Sequence, residues 1–449
     1  MQKKNLLNAS LGVEIAAEID SLLGRRVAGE LDLEALEIAA RRHAMRVAAR
    51  FVEQRLNGDH SDHSGSLVSC PCGSQARYAG RRRKAFQSVL GELELDRAYY
   101  HCKECGEGFC PRDQQLGIGD SSLSPAIVRM IGTVGAMVSF QEGSQLLEEL
   151  AAVRVDAKQV ERHAEALGGQ IAEDEQRHTT PLTDAALPPT LYLGIDGTGI
   201  PMRPEALAGR VGKQTDGSAK TREVKLCTIW SAESRDTEGT PVRDAGSVTY
   251  SAAIESAATL DIAQVRSEFT ERVLREATRR RFTEVTRTVV IGDGALWIWN
   301  IAQELFPHAI QIVDRFHVKE NLHRVAQAVY GTASEHGKKW ARRRCQELDD
   351  GDIHKLLAAL QRQIPRSEEA RKCVLYIRRN RHRMRYPEFR EQGICTSSGV
   401  VEAGCKVAIA TRLKRAGMHW TVRGSNAIIA LRCCRLSGRF QDFWERRAA

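Results

Sequence analysis

Apolar residues in the first 60 positions recur at three- and four-residue spacing with no proline among them, which predicts helix. The pattern breaks in "LNGDHSDHSGS" (56–66), a Gly/Ser/Asp linker. From 67 to 115 it gives way to short alternating runs, turns and cysteines. Within that stretch "FQSVLGELELDRAYY" predicts a hairpin turning at Gly91. Helical spacing returns from "SSLSPAIVRM" to about 177, and "TTPLTDAALPPT" (179–190) reads as a second linker.

Beyond it the period changes again. "LYLGIDGTGIPM" (191–202) alternates the apolar side chains Leu191, Leu193 and Ile195, then delivers Asp196 among glycines. "EVKLCTIWSAE" and "GSVTYSAAIE" are strand-like, and 258–281 reads as a long amphipathic helix. "RTVVIGDG", "ALWIWNIAQELF", "AIQIVD" and "RFHVKENLHRVAQAVYG" then alternate strand with helix. Residues from about 330 to 392 look wholly helical and basic, and "SSGVVEAGCKVAIATRLKRAG" and "GSNAIIALRCCRLSG" are further helices. Neighbouring strands followed by alternating helices and strands describe a mixed α/β sheet. The resulting division is an N-terminal helical region (1–66), a cysteine-bearing module (67–115), a helical region (116–186) and an α/β domain (187–449).

A hydrophobic content of 42% and a charged content of 27% are those of a soluble globular protein. No apolar run approaches the roughly 18 residues of a membrane span, and the N-terminus lacks a secretory h-region. A cytoplasmic protein with no membrane partner is expected. The net charge of +9, from 66 Lys+Arg against 57 Asp+Glu, suits a polyanionic partner, because cations placed on phosphates release counterions. The excess is concentrated between Arg371 and Arg390, where eight residues are basic and one acidic. Arg378, Arg379, Arg381 and Arg383 lie there as candidate DNA contacts; the alternative is a solvated helix face.

Five of the twelve cysteines fall between Cys70 and Cys110. In a reducing compartment such a cluster points to metal. Cys102-x-x-Cys105 is a good zinc half-site, while Cys70-x-Cys72 is irregular by one residue. Cys70, Cys72, Cys102 and Cys105 are the preferred ligands of one structural zinc, with Cys110 as substitute; metal-free buried thiols are the alternative. In "SFQEGSQLLEELAAVRVDAKQVERHAEALG" a helix (about 140–150), a short connector and a second helix from Ala157, N-capped by Asp156, suggest a helix-turn-helix. Its second helix would present Lys158, Gln159, Arg162 and His163 to a major groove. A plain helical hairpin is the alternative.

"TVVIGDGALW" repeats the device seen at Asp196, an apolar strand ending in Asp293 between glycines. Glu402 lies in an apolar helical stretch whose face neighbours, Ser398, Gly399, Cys405 and Lys406, are mostly small. Two Asp and a Glu placed this way can hold two Mg²⁺ (or Mn²⁺) ions, which prefer oxygen ligands and support in-line phosphodiester displacement. For each acid alone a structural role, such as Asp293 capping the helix after it, stays open. "RLKRAGMHW" adds Arg412, Lys414 and Arg415 for phosphates and Trp420 for stacking on an unpaired base; core packing is the alternative for Trp420.

Together "GIDGTGIPM", "VIGDGALWIWN", "FPHAIQIVDRFHVKENL", "SGVVEAGCKVAIATRLKRAGMHW" and the cysteine-rich "CPCG…FQSVLGELELDRAYYHCKECGEGFCPRD" resemble the ISKra family of insertion-sequence transposases. The resemblance spans about 70 to 440. It implies a multidomain α+β protein with N-terminal helices, a zinc-ribbon-like module, a helix-turn-helix-like region and a ribonuclease-H-like mixed α/β catalytic domain. That domain would carry an Asp-Asp-Glu triad of Asp196, Asp293 and Glu402, with 330–392 as a helical insertion. Asp314-Arg-Phe-His317 matches a Cys/Asp-x-x-His motif of related families, which places His317 near the scissile phosphate and makes Asp314 the rival of Asp293 as second metal ligand. The implied activity is metal-dependent strand cleavage at terminal inverted repeats and strand transfer into target DNA. Its partner is double-stranded DNA, on which the chain would act as a homo-oligomer, at least a dimer. The alternatives are a catalytically inactive, transposase-derived DNA-binding regulator and a structure-specific DNA nuclease.

Overall fold

The computed structural model describes the chain except residues 1–11, 14–15, 18–31, 120, 180–185, 213, 216, 218, 258–265, 397–398 and 449. It forms a mixed α/β multidomain protein that divides into two compact units, essentially residues 1–164 and 165–447.

In the first unit, helix α1 (Leu33–Asn57) starts at Asp32, whose side chain accepts from the Ala35 N–H. Its C-terminal half lays Ala49, Val52 and Leu56 against Phe86, Leu93 and Leu95 of a four-stranded antiparallel sheet. The strands are β1 (Leu67–Ser69), β2 (Gln75–Ser88), β3 (Gly91–Cys102) and β4 (Gly108–Phe109). The hairpin between β2 and β3 turns where the sequence predicts, with Gly91 at φ +117°, a conformation that glycine adopts without strain. After a short helix at Pro111–Gln115, three longer ones follow, α2 (Pro125–Met137), α3 (Phe140–Ala151) and α4 (Ala157–Arg177). They pack closely because Gly143 has no side chain. A Cβ there would stand 3.0 Å from Val134 and 3.5 Å from Val160.

The second unit holds the C-terminal half of α4 and a five-stranded mixed sheet in the order β9-β8-β5-β6-β7. Its strands are β5 (Thr190–Pro201), β6 (Thr221–Trp230), β7 (Thr249–Ala253), β8 (Arg287–Gly292) and β9 (Ile310–Val313). β5, β6 and β7 run antiparallel, while β8 lies parallel to both β5 and β9. The central strands are apolar on both faces because helices cover them. Leu191, Leu193, Ile195, Val289, Val290 and Ile291 are fully buried. Helix α5 (Glu268–Arg279) precedes β8, α6 (Leu296–Leu305) follows it, and α7 (Arg315–Tyr330) follows β9. A helical block of α8 (Glu335–Asp349), α9 (Ile353–Gln361), α10 (Glu368–Asn380) and α11 (Tyr386–Glu391) comes next, in agreement with the sequence.

Two helix expectations are corrected. The helix expected over 258–281 covers Glu268–Arg279, because the Ser267 hydroxyl accepts from the Thr270 N–H and caps it there; residues 258–265 lie outside the described ones. The single helix expected through Glu402 is a short α-helix, α12 (Gly399–Gly404), that widens into a π-helical turn at Cys405–Ala410 and closes with Thr411–Leu413. The Arg432 guanidinium of α13 (Val422–Leu436) donates to the carbonyls of Val407 and Ala408 and to the Thr411 hydroxyl, which ties the wider turn to α13.

Candidate active site and cysteine cluster

Parallel pairing sets Ile195 of β5 beside Gly292 of β8, so the next residues, Asp196 within β5 and Asp293 just past the end of β8, come side by side. Asp196 is partly buried. One carboxylate oxygen accepts from the Gly197 N–H (2.7 Å) and the other from the Cys405 thiol (3.4 Å). Burial pushes its carboxyl above the ordinary range and the nearby Asp293 adds to that, while the Gly197 N–H, the Cys405 thiol and His317 pull the other way. Asp293 accepts from the Ala295 N–H (2.8 Å), an Asx turn at the start of α6, and Gly294 follows at φ +96°. The local turn and the outward-facing acid are therefore compatible roles for one residue.

Glu402 is solvent-exposed, on the short helix that crosses β5. The helix is registered there by two contacts either side of the Glu: Val401 lies over Gly194, and Cys405 one turn on reaches Asp196. Gly194 and Asp196 point to one face of the sheet, so Glu402 is carried on the same face as Asp196. A Cβ on Gly194 would come within 2.0 Å of Val401. Gly194→Ala is expected to cost about 1–3 kcal/mol by overpacking. Urea melts check this, and a parent-like midpoint contradicts the contact. Ser398 lies outside the described residues.

Asp314 is buried at the end of β9, its backbone N–H donating to the Gly292 carbonyl (2.8 Å). It caps α7 through the Phe316 N–H (3.1 Å) and receives His317 Nδ1 at 2.6 Å. That hydrogen bond first, then the charges of Asp314, Asp196 and Asp293, raise the His317 imidazole to about 9. At neutral pH it is an imidazolium facing two acids. Asp314 is thus a buried partner of the histidine. The carboxylates do not form a tight cage: among the described residues, the four cysteines make the only set of three or more such ligands lying within 4.8 Å of one another.

Those four are Cys70, Cys72, Cys102 and Cys105. Each pair sits on a knuckle closed by a glycine in the left-handed region, Gly73 (φ +90°) and Gly106 (φ +73°). The knuckles are bonded alike: Gly73 donates to the Cys70 carbonyl (2.9 Å), Gly106 to that of Cys102 (3.0 Å). The missing residue of Cys70-x-Cys72 therefore does not spoil the site. Sulfur separations are 3.7 Å (Cys70–Cys105) and 3.8 Å (Cys72–Cys102). A tetrahedron with Zn–S bonds of about 2.3 Å has edges of roughly 3.8 Å, so the cluster can hold a metal such as zinc. The Ser74 backbone N–H, chiefly, and the Cys70 thiol bring Cys72 down to about 6, toward the thiolate a metal needs. Cys110 lies outside the set, buried at the head of a short helix where burial pushes its thiol up.

The candidate DNA contacts divide. Lys158 and Arg162 are exposed on α4, Lys158 paired with Glu161 (2.8 Å), and His163 is half-buried. Gln159 is engaged locally, exchanging hydrogen bonds with Asp156, the expected N-cap (2.7 and 3.0 Å). Arg378, Arg379 and Arg381 are exposed. Arg383 instead donates to Gln311 (2.7 Å) and lies 4.4 Å over the Trp299 ring, a packing residue. Arg412 is fully buried beside Trp420, and Trp420 donates its indole N–H to the Leu413 carbonyl while its backbone bonds Pro201 and Arg203 at the end of β5. Their expected DNA contacts are corrected: Arg412 is held inside by the Trp420 ring and the Met418 sulfur, and Trp420 by its backbone partners. Lys414 reaches Thr198 (2.5 Å), two residues beyond Asp196, and Arg415 is half-buried. No sequence signal pointed to the Cys405 and Tyr376 contacts to the acids, which join residues 209 and 83 positions apart.

The geometry defines a mixed α/β protein with an acid–histidine centre at the end of its parallel strands and a separate four-cysteine cluster. The chain belongs to UPF0236, an uncharacterised protein family, whose model matches residues 74–446. No curated protein matches the sequence. Among solved structures it is similar to a chain of the Drosophila P element transposase strand transfer complex, with 8% identity and a TM-score of 0.27 over 72% of this chain and 81% of that one. No helix among the described residues is long and apolar enough to cross a membrane.

Proposed function

We propose that the protein is a DNA transposase of the Asp-Asp-Glu type that cleaves at the terminal inverted repeats of its element and joins the freed 3′ end to target DNA. The observation that carries the reading is the pairing of Ile195 with Gly292, which brings Asp196 and Asp293 out together, with the Glu402 helix docked on Asp196 through Cys405. The strand order, with three antiparallel strands and two parallel ones beside the first, supports a ribonuclease-H-like domain interrupted by the helical block. The ISKra-like motifs along the chain support the same assignment.

The donor set suits Mg²⁺ or Mn²⁺, being three carboxylates without a soft ligand; the Cys405 thiol is protonated, pushed up by burial and by Asp196. Divalent ions held by Asp196, Asp293 and Glu402 supply activation of the attacking oxygen and stabilisation of the leaving one. The raised Asp196 carboxyl is a site that gains from a cation. His317, charged and fixed by Asp314, offers a donor to a phosphate oxygen, and Lys414 a second cation on the Asp196 strand. In this reading the cysteine cluster binds one structural zinc, and the chain works on duplex DNA as at least a dimer. The test is incubation with a plasmid carrying the gene's flanking DNA in Mg²⁺. Nicks at inverted-repeat ends and joined products are expected; specific binding without cleavage would favour the regulator instead.

Arg378, Arg379 and Arg381 bind phosphates in this reading, which positions DNA without reading it. Their joint replacement by Ala is expected to weaken end and random duplexes alike and to flatten the salt dependence by about 0.9 log-log units for each phosphate no longer neutralised. Arg162→Ala should instead reduce the preference for the element's ends. Anisotropy titrations at several salt concentrations measure both, and an unchanged slope in the triple variant would make the block an ordinary solvated face.

A further inference from the structure

Tyr376 carries the helical block to the acidic centre. Tyr376, on α10, donates its hydroxyl to the Asp293 backbone carbonyl at 2.7 Å. Its ring closes over Gly294, where a Cβ would meet it at 2.5 Å. The Asp293–Gly294 turn is thus held from one side by its own Asx bond to Ala295 and from the other by this tyrosine. The same helix exposes Arg378 and Arg379, two and three residues further on. A second tyrosine of the block, the buried Tyr386, donates to the Val313 carbonyl (2.9 Å), one residue before Asp314.

We propose that Tyr376 is a positioning residue for Asp293, and that α10 thereby makes the helical block part of the metal site as well as a DNA-facing surface. The inference rests on the reading of Asp293 as a metal ligand. Without the hydroxyl, the carbonyl of the turn loses its partner and the carboxylate loses the fixed backbone that aims it. Partners that orient metal ligands typically govern affinity by 10–100-fold. Because Tyr376 and the exposed arginines share one rigid helix, DNA engaged by those arginines bears on the turn that aims Asp293.

The test is Mn²⁺ binding to the full, zinc-loaded chain with duplex DNA present, followed by the electron paramagnetic resonance signal of free Mn²⁺. Tyr376→Phe is expected to weaken Mn²⁺ binding by about ten-fold or more while DNA affinity stays at the parent value. Tyr386→Phe, which removes the hydroxyl that the more deeply buried Tyr386 donates to the end of β9, should change Mn²⁺ binding far less; equal losses in the two variants would mean general loosening and overturn the proposal. Parent-like Mn²⁺ affinity in Tyr376→Phe overturns it too. Asp293→Asn separates the two levels. If that variant keeps the parent's Mn²⁺ affinity, or the parent binds none, the ligand reading itself falls; if it loses Mn²⁺ and Tyr376→Phe does not, only the positioning role falls. Should Tyr376→Phe fail to fold, Gly294→Ala pushes the turn against the same ring and must weaken Mn²⁺ as well, or the proposal is overturned.

Discussion

Asn at Asp196 or at Asp293 is expected to lower DNA strand cleavage by about a thousand-fold or more, with binding to DNA ends largely kept. The size follows from the charge removed: a metal's stabilisation of the reacting oxygens is worth several kcal/mol, and each 1.36 kcal/mol is tenfold in rate. Stability should move the other way. The folded Asp196 carboxyl lies above its ordinary value, so its ionised form is disfavoured by the fold. That penalty is present at pH above the raised value and vanishes as pH falls below the ordinary one. At neutral pH and without metal, Asp196→Asn should therefore melt at or above the parent. Thermal melts beside cleavage assays check the pair of outcomes. An inactive variant that melts well below the parent would point to a structural aspartate.

The other large effect concerns the cysteines. Structural zinc in small modules contributes about 10–16 kcal/mol of apparent binding free energy. Purified protein is expected to contain one zinc. Cys102→Ser with Cys105→Ser should lose it and lose amide protection along β2 and β3. Replacing Cys110 should leave the zinc content unchanged, since it lies outside the set. Metal analysis and hydrogen exchange decide; a zinc-free parent, or full protection in the double variant, would contradict the assignment.

Much of this was legible in the sequence where local pattern and tertiary role coincide. The strands that carry Asp196 and lead into Asp293 could be read because buried parallel strands are apolar throughout, although β5 does not end at Asp196 but runs on to Pro201, paired with β6. The hairpin at Gly91, the Asp156 cap and the helical block were legible for the same reason, being local. What failed was the direction of long cationic and aromatic side chains. Arg412, Trp420 and Arg383 sit in runs that look like a DNA face, yet Trp420 is tied to the end of β5 and Arg383 to Trp299, contacts that no spacing encodes. Gln159 is engaged by its own N-cap residue, Asp156, a competition between local and distant partners typical of a helix's first turn. The Val401–Gly194 contact and the Tyr376 bond to Asp293 join distant segments and emerge only with the fold.

Whether Asp196, Asp293 and Glu402 share a metal centre is measured most directly by anomalous diffraction from crystals of the protein with Mn²⁺ and a DNA end. Manganese bonded to carboxylate oxygens of both aspartates is expected, with Glu402 turned in from its exposed helix to complete the set. Manganese bound elsewhere, with Asp196 still held only by Gly197 and Cys405, would contradict the shared centre.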